Sequence, residues 1–425
     1  MKSITNTEKI RLQKLQSVSV TPDDVLRFYA DLEYDLNDYS YTKVGTYLKG
    51  QPVAKEVTFE WEYTDDLIPK SVVLKVSLNG DMSDALVYNI NSSENTYRVR
   101  NLRADTLYYW RIEVINTGDH IYCSEVDSFK TLPGRRIISL DGVKNFRDLG
   151  EIKTLNGYKI KQGLLFRGGQ IDTEERHFTD SDLNEVREHF KIKTELDLRK
   201  PEQLGYSANG RSPIGEDVKY IHLSAVEYNN FVSAKTNEQQ IMQVFADFDN
   251  YPILFHCQYG ADRTGTVAFL LEALVGVEMQ ELTKDYELTQ WQNRKHLPFQ
   301  ELVHEGCGSV DGAKLQKTVY KIFTEKFGLT QMEISNIYNI FINDGAVFKS
   351  DSLRQPCCIG ESFIEYHINM RKSQCIKRIS DEDRQFVFEY SGDTLRIFSN
   401  TSTKTIGEIE FDNDIILKYE YNPQI

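Results

Sequence analysis

A strand, a short loop and a helix follow one another directly between residues 251 and 276, and this run constrains the fold more than any other part of the sequence. The segment YPILF is continuously apolar, which is typical of a strand buried on both faces of a sheet. The segment RTGTVAFLLEALVG predicts a helix ending at Gly276, with four aliphatic side chains on one side: Val267, Leu270, Leu271 and Leu274. Cys257 to Asp262 must therefore turn the chain from a buried strand into a helix.

This loop has the geometry of an anion site. Unpaired backbone N–H groups at a helix N-terminus point toward the loop, and the helix dipole adds roughly +0.5 charge there. Gly260 and Gly265 allow the backbone to wrap closely at the bend and in the first helical turn. A cysteine beside arginine at a helix N-terminus ionises more readily than a free thiol, so Cys257 is predicted to be a thiolate.

Among six cysteines, only Cys257 is followed by arginine six positions later, at Arg263. A guanidinium holds two oxygens of a phosphate at once. Phosphoryl transfer depends mainly on positioning and charge neutralisation, so no metal and no other cofactor is expected. The reaction would pass through a phosphocysteine that water hydrolyses. The remaining cysteines are expected to be small buried side chains: Cys123, Cys307, Cys357, Cys358 and Cys375.

The hydrophobic pattern divides the chain into four parts, which together predict a multidomain α/β plus all-β protein. Residues 1–50 are a lead-in with one short helix in TPDDVLRFYADL. Residues 51–133 alternate apolar and polar side chains between turns, which predicts a β-sandwich. Residues 134–349 predict an α/β core with a mostly parallel sheet and helices on both faces, and residues 350–425 a small β-rich domain.

The charge balance excludes several classes of partner. The formal net charge of −14 would repel nucleic acid and anionic membrane surfaces, so an anion must be bound locally. No segment approaches the roughly 18 apolar residues of a membrane span. The first twenty residues lack the apolar core of a secretory signal, which predicts a cytoplasmic protein, or an exported one if a leader has been removed.

The loop resembles the signature HCxxGxxR[ST] of the cysteine-dependent protein tyrosine phosphatase superfamily. The matching residues are His256, Cys257, Gly260, Arg263 and Thr264. More narrowly, HCQYGADRTG and the upstream NFRDLG resemble bacterial tyrosine-phosphatase-like proteins that carry HCxxGKDRTG and NFRDLGG. Further similar stretches are LLFRGGQ, ELDLRKPEQ and GVEMQELTKDYELT, so the resemblance covers residues 134–345.

The resemblance implies hydrolysis of phosphotyrosine, and of phosphoserine or phosphothreonine as well, in a phosphorylated protein or a small phosphomonoester. It implies that Cys257 is the nucleophile, Arg263 the phosphate clamp and Asp262 the general acid. His256 would support the loop, and the Thr264 hydroxyl would steady the thiolate. The implied phosphate-binding residues are Gln258, Tyr259, Gly260, Ala261, Thr264 and Gly265.

Five further side chains have alternative interpretations. Asp197 lies at a predicted strand end and is either a second candidate acid or a structural partner of Arg199. Arg147 and Asp148 either hold the rim of the cleft through an ion pair or contact the substrate. Arg167 follows an apolar strand and could add positive potential to the pocket.

Two residues depart from the family pattern. Ala261 replaces a lysine that is associated with inositol-lipid phosphates, so a phosphoinositide or inositol phosphate phosphatase is an alternative that the sequence does not favour. Glu151 replaces a glycine, which predicts a reshaped loop. A catalytically silent phosphate-binding or recognition module is a further alternative, but a pure binder would need no nucleophile.

The predicted sandwich has its own resemblance. The run from Leu102 to Tyr108 with YWRIEV resembles the tyrosine corner of fibronectin type III domains, a family that usually has proline where Ala104 stands. Trp61 and Trp110 are predicted to be sandwich core residues.

Overall fold

The structure is a computed structural model. It describes residues 4–6, 9–31, 41–64, 66–155, 158–226, 228, 237–292, 299–308, 312–342 and five strands between 378 and 421. Cys357, Cys358 and Cys375 lie outside the described residues, as does the segment SFIEYHIN, in which the sequence pattern predicts a strand. In the described parts of the chain, every helix is too short or too polar to cross a membrane.

Nine N-terminal strands build two sheets among the described residues: β1 Ile4–Asn6, β2 Ile10–Leu12, β3 Val57–Tyr63, β4 Pro69–Ser77, β5 Leu86–Ile90, β6 Thr96–Val99, β7 Leu107–Asn116, β8 Ile121–Cys123 and β9 Asp127–Lys130. The larger sheet has the order β1-β8-β7-β4-β5, with β9 also paired to β7, and the smaller has the order β2-β3-β6. All pairs are antiparallel except β1 with β8.

The two N-terminal sheets share one apolar core. Alternate side chains of β3 and β7 are buried, as the two-residue period of a strand requires. Trp61 and Trp110 both lie in this core, as predicted. The Tyr108 hydroxyl accepts a hydrogen bond from the backbone N–H of Arg103 at 2.8 Å, the contact expected of a tyrosine corner.

A five-stranded mixed sheet forms the centre of the following region, with strands β10 Arg147–Asp148, β11 Leu165–Gly168, β12 Thr194–Asp197, β13 Lys219–His222 and β14 Ile253–His256. Its order is β10-β11-β14-β12-β13. Every neighbouring pair is parallel except β10 with β11. The sheet is therefore mostly parallel, as predicted, with an antiparallel strand at one edge.

The described helices are α1 Asp23–Ala30, α2 Tyr41–Tyr47, α3 Asp180–Asn184, α4 Glu238–Ala246, α5 Asp262–Leu274, α6 Met279–Glu287, α7 Phe299–Cys307, α8 Gly312–Lys321 and α9 Gln331–Ile342. Besides α1 and α5, helical apolar spacing predicts α3, α4, α6, α8 and α9, in TDSDLNEVREHF, EQQIMQVFADFDN, QELTKDYELTQW, QKTVYKIFTEKFG and TQMEISNIYNIFIND. No such prediction was made for α2 and α7. A π-helical turn, Glu185–His189, continues α3.

Alternate side chains of the central strands enter two different cores. Leu165 and Ile253 pack with residues of α4, α5, α8 and α9, whereas Phe166 and Leu254 pack with Phe190 beyond α3. Helices therefore lie on both faces of the sheet. The four aliphatic side chains predicted on one side of α5 all lie in the first of these cores, as expected. Burial is not confined to that side, because every residue from Arg263 to Leu274 is buried and both α6 and α8 pack against the helix.

A separate five-stranded sheet follows near the C-terminus. Its strands are β15 Arg378–Asp381, β16 Arg384–Ser391, β17 Thr394–Ser399, β18 Thr405–Asp412 and β19 Ile415–Tyr421. They pair in sequence order and antiparallel, which is the arrangement of successive hairpins that the pattern indicated.

Candidate active site

Cys257 lies at the carboxyl end of the central strand of the mixed sheet. It follows β14 directly, and α5 begins five residues later at Asp262, so the predicted strand-loop-helix is present. His256 is in register with Gly168 of β11 and Asp197 of β12. Parallel strands end at the same edge of a sheet, and the loop therefore sits between the ends of its two neighbours.

Donors from outside the loop hold its carbonyl oxygens. The Asn145 side-chain amide donates to the carbonyls of Tyr259 and Gly260, at 3.1 Å each. Gln292 also donates to the Tyr259 carbonyl at 3.2 Å, and Arg167 Nη2 to the Gly260 carbonyl at 3.0 Å. A carbonyl and the next N–H of a planar peptide point in opposite directions, so the N–H groups of Gly260 and Ala261 point away from these donors.

The loop approaches the end of β11 so closely that glycine is required. Gly260 has φ +68°, and a Cβ there would lie 2.4 Å from the carbonyl oxygen of Gly168. The backbone N–H of Gln170 donates to the carbonyl of Gln258 at 3.2 Å. A larger residue at 260 would meet backbone atoms that cannot move without displacing the loop.

Cys257 and Arg263 are both buried, at 2% and 4% exposure. Arg263 Nη1 donates to Gln203 Oε1 at 2.7 Å, and Gln203 Nε2 donates to Gln258 Oε1 at 3.2 Å. Gln203 thus connects the guanidinium to the loop, a role that sequence reasoning missed although the residue lies within ELDLRKPEQ. The Thr264 hydroxyl is buried and has no hydrogen-bond partner among the described residues.

Asp262 is the first residue of α5 and is partly exposed. Its Oδ1 accepts a hydrogen bond from the Tyr228 hydroxyl at 2.7 Å. The Tyr228 backbone N–H donates to Thr266 Oγ1 at 3.1 Å, so the tyrosine is fixed to the same helix. No sequence motif marked Tyr228, which precedes Asp262 by 34 residues.

A buried carboxylate supports the loop from below. Asp285 accepts from Arg147 Nε at 2.9 Å and from Arg167 Nη1 at 2.6 Å. Burial raises the pKa of Asp285, but the charges of Arg147 and Arg167 outweigh it and lower that pKa to about 2. Burial, followed by the charge of Arg147, lowers the pKa of Arg167 to about 10. Arg167 is also close enough to Cys257 for their charges to interact.

Arg147 and Asp148 point to opposite sides of β10 and do not pair with each other. Arg147 turns to Asp285, while Asp148 Oδ2 accepts from Arg136 Nη1 at 3.0 Å and from the backbone N–H of Gly163 at 2.7 Å. Arg147 and Asp148 are 3% and 4% exposed. Their partners favour the structural interpretation over contact with a substrate.

Asp197 and Arg199 form a buried ion pair in which both side chains are 0% exposed. Arg199 also holds Asp172 at 2.6 Å, and the Tyr220 hydroxyl donates to Asp197 at 3.1 Å. Burial raises the pKa of Asp197, but the charge of His256 and the hydrogen bonds from Arg199 outweigh burial and lower that pKa to about 2. A carboxylate so firmly ionised favours the structural pair over a second general acid.

His256 is fully buried beside the loop, with Nε2 3.0 Å from Glu195 Oε1. Burial lowers the pKa of His256, but the charge of Asp197 and the contact with Glu195 outweigh it, so the net shift is upward. These three side chains could approach one cation, but Arg199 binds Asp197 and the Ser212 hydroxyl binds Glu195. Protein donors therefore already bind both carboxylates, while His256 Nδ1 has no hydrogen-bond partner among the described residues.

Glu151 adopts φ +66°, in the left-handed region that favours glycine. Its carboxylate pairs with Lys159 at 2.5 Å and accepts from Gln162 at 3.2 Å. Because glycine adopts this conformation freely, the departure from the entry motif alters side-chain contacts rather than the path of the loop.

The mixed sheet carries a buried cysteine in the loop between β14 and α5, and comparison with known proteins relates this region to a family. Residues 138–325 match the tyrosine phosphatase family. The match covers less than half of the chain, so it is this region that is similar to the tyrosine phosphatase family.

Individual relatives are distant. A candidate tyrosine-protein phosphatase of Cupriavidus necator is 23% identical over 39% of this chain and 68% of its own length. The core catalytic domain of the PP-IP phosphatase Siw14 from S. cerevisiae, solved with citrate, is 14% identical, with a TM-score of 0.29 over 45% of this chain and 98% of its own. The fn3 domain of human contactin 1 is 22% identical, with a TM-score of 0.16 over 19% of this chain and 69% of its own.

Proposed function

We propose that this protein hydrolyses phosphomonoesters, phosphotyrosine in particular, through a phosphocysteine intermediate. The observation that carries the proposal is the loop itself. The carbonyls of Tyr259 and Gly260 accept from Asn145 and Arg167, so the next two N–H groups point away from these donors and would be available to a phosphoryl group beside Cys257. Arg263 is the second residue of α5, the helix that the loop leads into, and its guanidinium is bonded to Gln203. Inward N–H groups and a guanidinium are the donors that a phosphoryl group requires.

The first chemical step forms the S–P bond and breaks the bond between phosphorus and the leaving oxygen. The Cys257 thiolate attacks phosphorus while Arg263 holds two non-bridging oxygens. The leaving oxygen takes a proton from Asp262, which becomes a carboxylate. The buried Thr264 hydroxyl is free to steady the sulfur, and His256 supports the loop from the strand side.

The second step breaks the S–P bond. Water attacks phosphorus, the Asp262 carboxylate takes its proton, and the Cys257 thiolate leaves. Inorganic phosphate is the product, and both catalytic groups return to their starting protonation states. The loop backbone from Gln258 to Ala261 and the N-terminal turn of α5, including Gly265, would neutralise charge in both steps.

The proposed substrate is a phosphorylated protein or a small phosphomonoester, with phosphoserine and phosphothreonine also accepted. Ala261 supplies no extra positive charge at the loop, which does not favour a highly phosphorylated inositol. We further propose that residues 134–349 form the catalytic domain, that residues 51–133 form a fibronectin type III-like domain after the 1–50 lead-in, and that 350–425 form a separate β domain.

The proposal is tested by turnover of p-nitrophenyl phosphate. Cys257→Ser should abolish turnover, whereas Cys307→Ser, which changes a half-buried thiol far from the loop in sequence, should leave it unchanged.

Arg263→Lys should lower kcat by about 10² to 10³, as loss of an oxyanion donor does. Vanadate should inhibit and EDTA should not. Undiminished turnover by Cys257→Ser would refute the mechanism, and phosphate binding without wild-type turnover would indicate a silent module.

The role of Asp262 is tested by varying the leaving group. Asp262→Asn should slow hydrolysis of phenyl phosphate more than that of p-nitrophenyl phosphate, because nitrophenolate leaves without a proton. Tyr228→Phe keeps the carboxylate and removes only its hydrogen bond, so it should have a smaller effect. Equal losses on both substrates would exclude Asp262 as the acid.

A further inference from the structure

A cavity of about 310 Å³ lies where the N-terminal sheets meet the mixed sheet. Leu78, Leu86 and Arg103 line it from the first side, and Phe190 and Pro252 from the second. Pro252 directly precedes β14, while the candidate active site lies at the other end of that strand, about 17 Å away at the usual rise per residue. The cavity is therefore separate from the candidate active site.

Basic side chains outnumber acidic ones in the cavity wall. The basic residues are Arg100, Arg103, Arg136, Lys191 and Lys193, against the acidic residues Asp84 and Glu185. Arg100 pairs with Asp141 and Arg136 with Asp148, both at 3.0 Å. The side chains of Arg103, Lys191 and Lys193 have no ion pair or hydrogen bond within the part of the chain that the structure describes. With those two pairs set aside, three cations face the two carboxylates Asp84 and Glu185, so the cavity wall keeps a small positive excess in a chain with net charge −14.

Arg103 is the central cation of this wall. Its guanidinium packs closely against Gly163, which belongs to the mixed-sheet region. A Cβ added at Gly163 would lie 2.5 Å from Arg103 Nη2. Burial, followed by the charge of Arg136, lowers the pKa of Arg103. This is the direction expected of a cation that has lost water without gaining enough negative charge in return. The position of Arg103 would be stabilised by an anion.

The same cavity also has an apolar part of its wall. Leu78, Leu86, Phe190 and Pro252 provide apolar surface beside the cations. A volume of about 310 Å³ lies at the lower end of the range for cavities that bind small ligands. We propose that this cavity binds a small organic anion that carries two negative charges next to an apolar ring or chain.

The experiment uses the full chain carrying Cys257→Ser and Arg263→Ala, so that the candidate active site does not contribute to binding. Isothermal titration calorimetry compares phenylphosphonate and phthalate, two aromatic dianions, with uncharged benzamide. Saturable binding of at least one dianion is expected, and none of benzamide. Binding of phenylphosphonate alone identifies phosphoryl anions as the ligand class, binding of phthalate alone identifies dicarboxylates, and binding of both identifies dianions of either kind.

Variants locate the binding. Arg103→Gln in the same background should weaken it about 10-fold or more, because a hydrogen bond to a charged group contributes about 1.5–3 kcal/mol. Arg98→Gln is the matched control, since Arg98 is 70% exposed and pairs loosely with Glu56 at 3.8 Å, and it should change nothing. If Arg103→Gln does not fold, Lys193→Gln replaces it, because Lys193 is exposed and should weaken binding in the same direction. Absence of saturable dianion binding, equal binding of benzamide, or unchanged affinity in these variants would overturn the proposal.

Discussion

The N-terminal sheets and the mixed sheet place their charges in opposite ways. In the N-terminal region ion pairs lie at the surface, as with Lys70 and Asp119, whose side chains are 58% and 56% exposed. In the mixed-sheet region most of them lie in the interior, as with Arg167 and Asp285, whose side chains are 1% and 4% exposed. The two regions of one chain thus use apolar packing and buried charge to different extents.

The difference shows what buried charge does here. A buried ion pair is a poor source of stability, because desolvation costs about as much as the attraction returns. An apolar cluster could hold the sheet equally well, but only a directional donor can fix a loop carbonyl. Arg167 does both, since it bonds Asp285 on one side and the Gly260 carbonyl on the other. The buried charges are placed where the loop needs fixed orientation.

The largest expected effect comes from removing the shared carboxylate. Asp285→Leu leaves Arg147 and Arg167 buried without their partner and should lower the free energy of unfolding by about 3–5 kcal/mol. Asp119→Asn removes a surface partner and should cost less than about 1 kcal/mol. Urea unfolding followed by circular dichroism measures both. Similar losses in the two variants would contradict the contrast between the regions.

Gly260→Ala should lower kcat for p-nitrophenyl phosphate by about 10²-fold, because the added Cβ displaces the loop from Gly168. Gly210→Ala is the matched control. Gly210 also has positive φ, at +79°, but nothing lies within 4 Å of its added Cβ. It should cost about 1 kcal/mol of stability and no activity. Equal activity of the two variants would show that loop position does not limit the rate.

Acid should destabilise the mixed-sheet region first. The pKa values of Asp285 and Asp197 are lowered to about 2 in the folded state, from an ordinary value of 3.8. Their stabilisation is therefore present above pH 3.8 and lost as pH falls toward 2, on the order of 2 kcal/mol for each group. Hydrogen exchange across this pH range should show protection lost around β12 and α6 before β4 and β7. Loss of protection at the same pH in both sets of elements would contradict the prediction.

The smallest effect is expected at the contact between the two regions. The Ala104 backbone N–H donates to Gln162 Oε1 at 2.9 Å, and Gln162 Nε2 donates to the Ala104 carbonyl at 2.7 Å. Proline, the residue usual in fibronectin type III domains, cannot make the first bond. Ala104→Pro should therefore cost about 1 kcal/mol of thermal stability. In a background with Gln162→Ala, the same substitution should cost less, and an unchanged cost would exclude this contact as the cause.

The sequence predicted local features well and distant contacts poorly. The strand, loop and helix around Cys257 could be predicted because the spacing of apolar residues and the positions of glycines are local features of the sequence. Gln203, Tyr228 and Asp285 were missed because their partners lie 34 to 138 residues away in the chain. The apolar side of α5 was predicted, but the burial of its remaining residues was not, because that burial comes from helices elsewhere in the chain.

The donors that hold the loop also set an order of events during synthesis. Asn145 and Arg167 emerge from the ribosome before Cys257, but Gln292, which bonds the Tyr259 carbonyl, emerges afterward. A nascent chain that has just produced the cysteine still lacks one of the groups that orient its backbone. The full set of hydrogen bonds to the loop carbonyls can therefore form only after Gln292 has been synthesised.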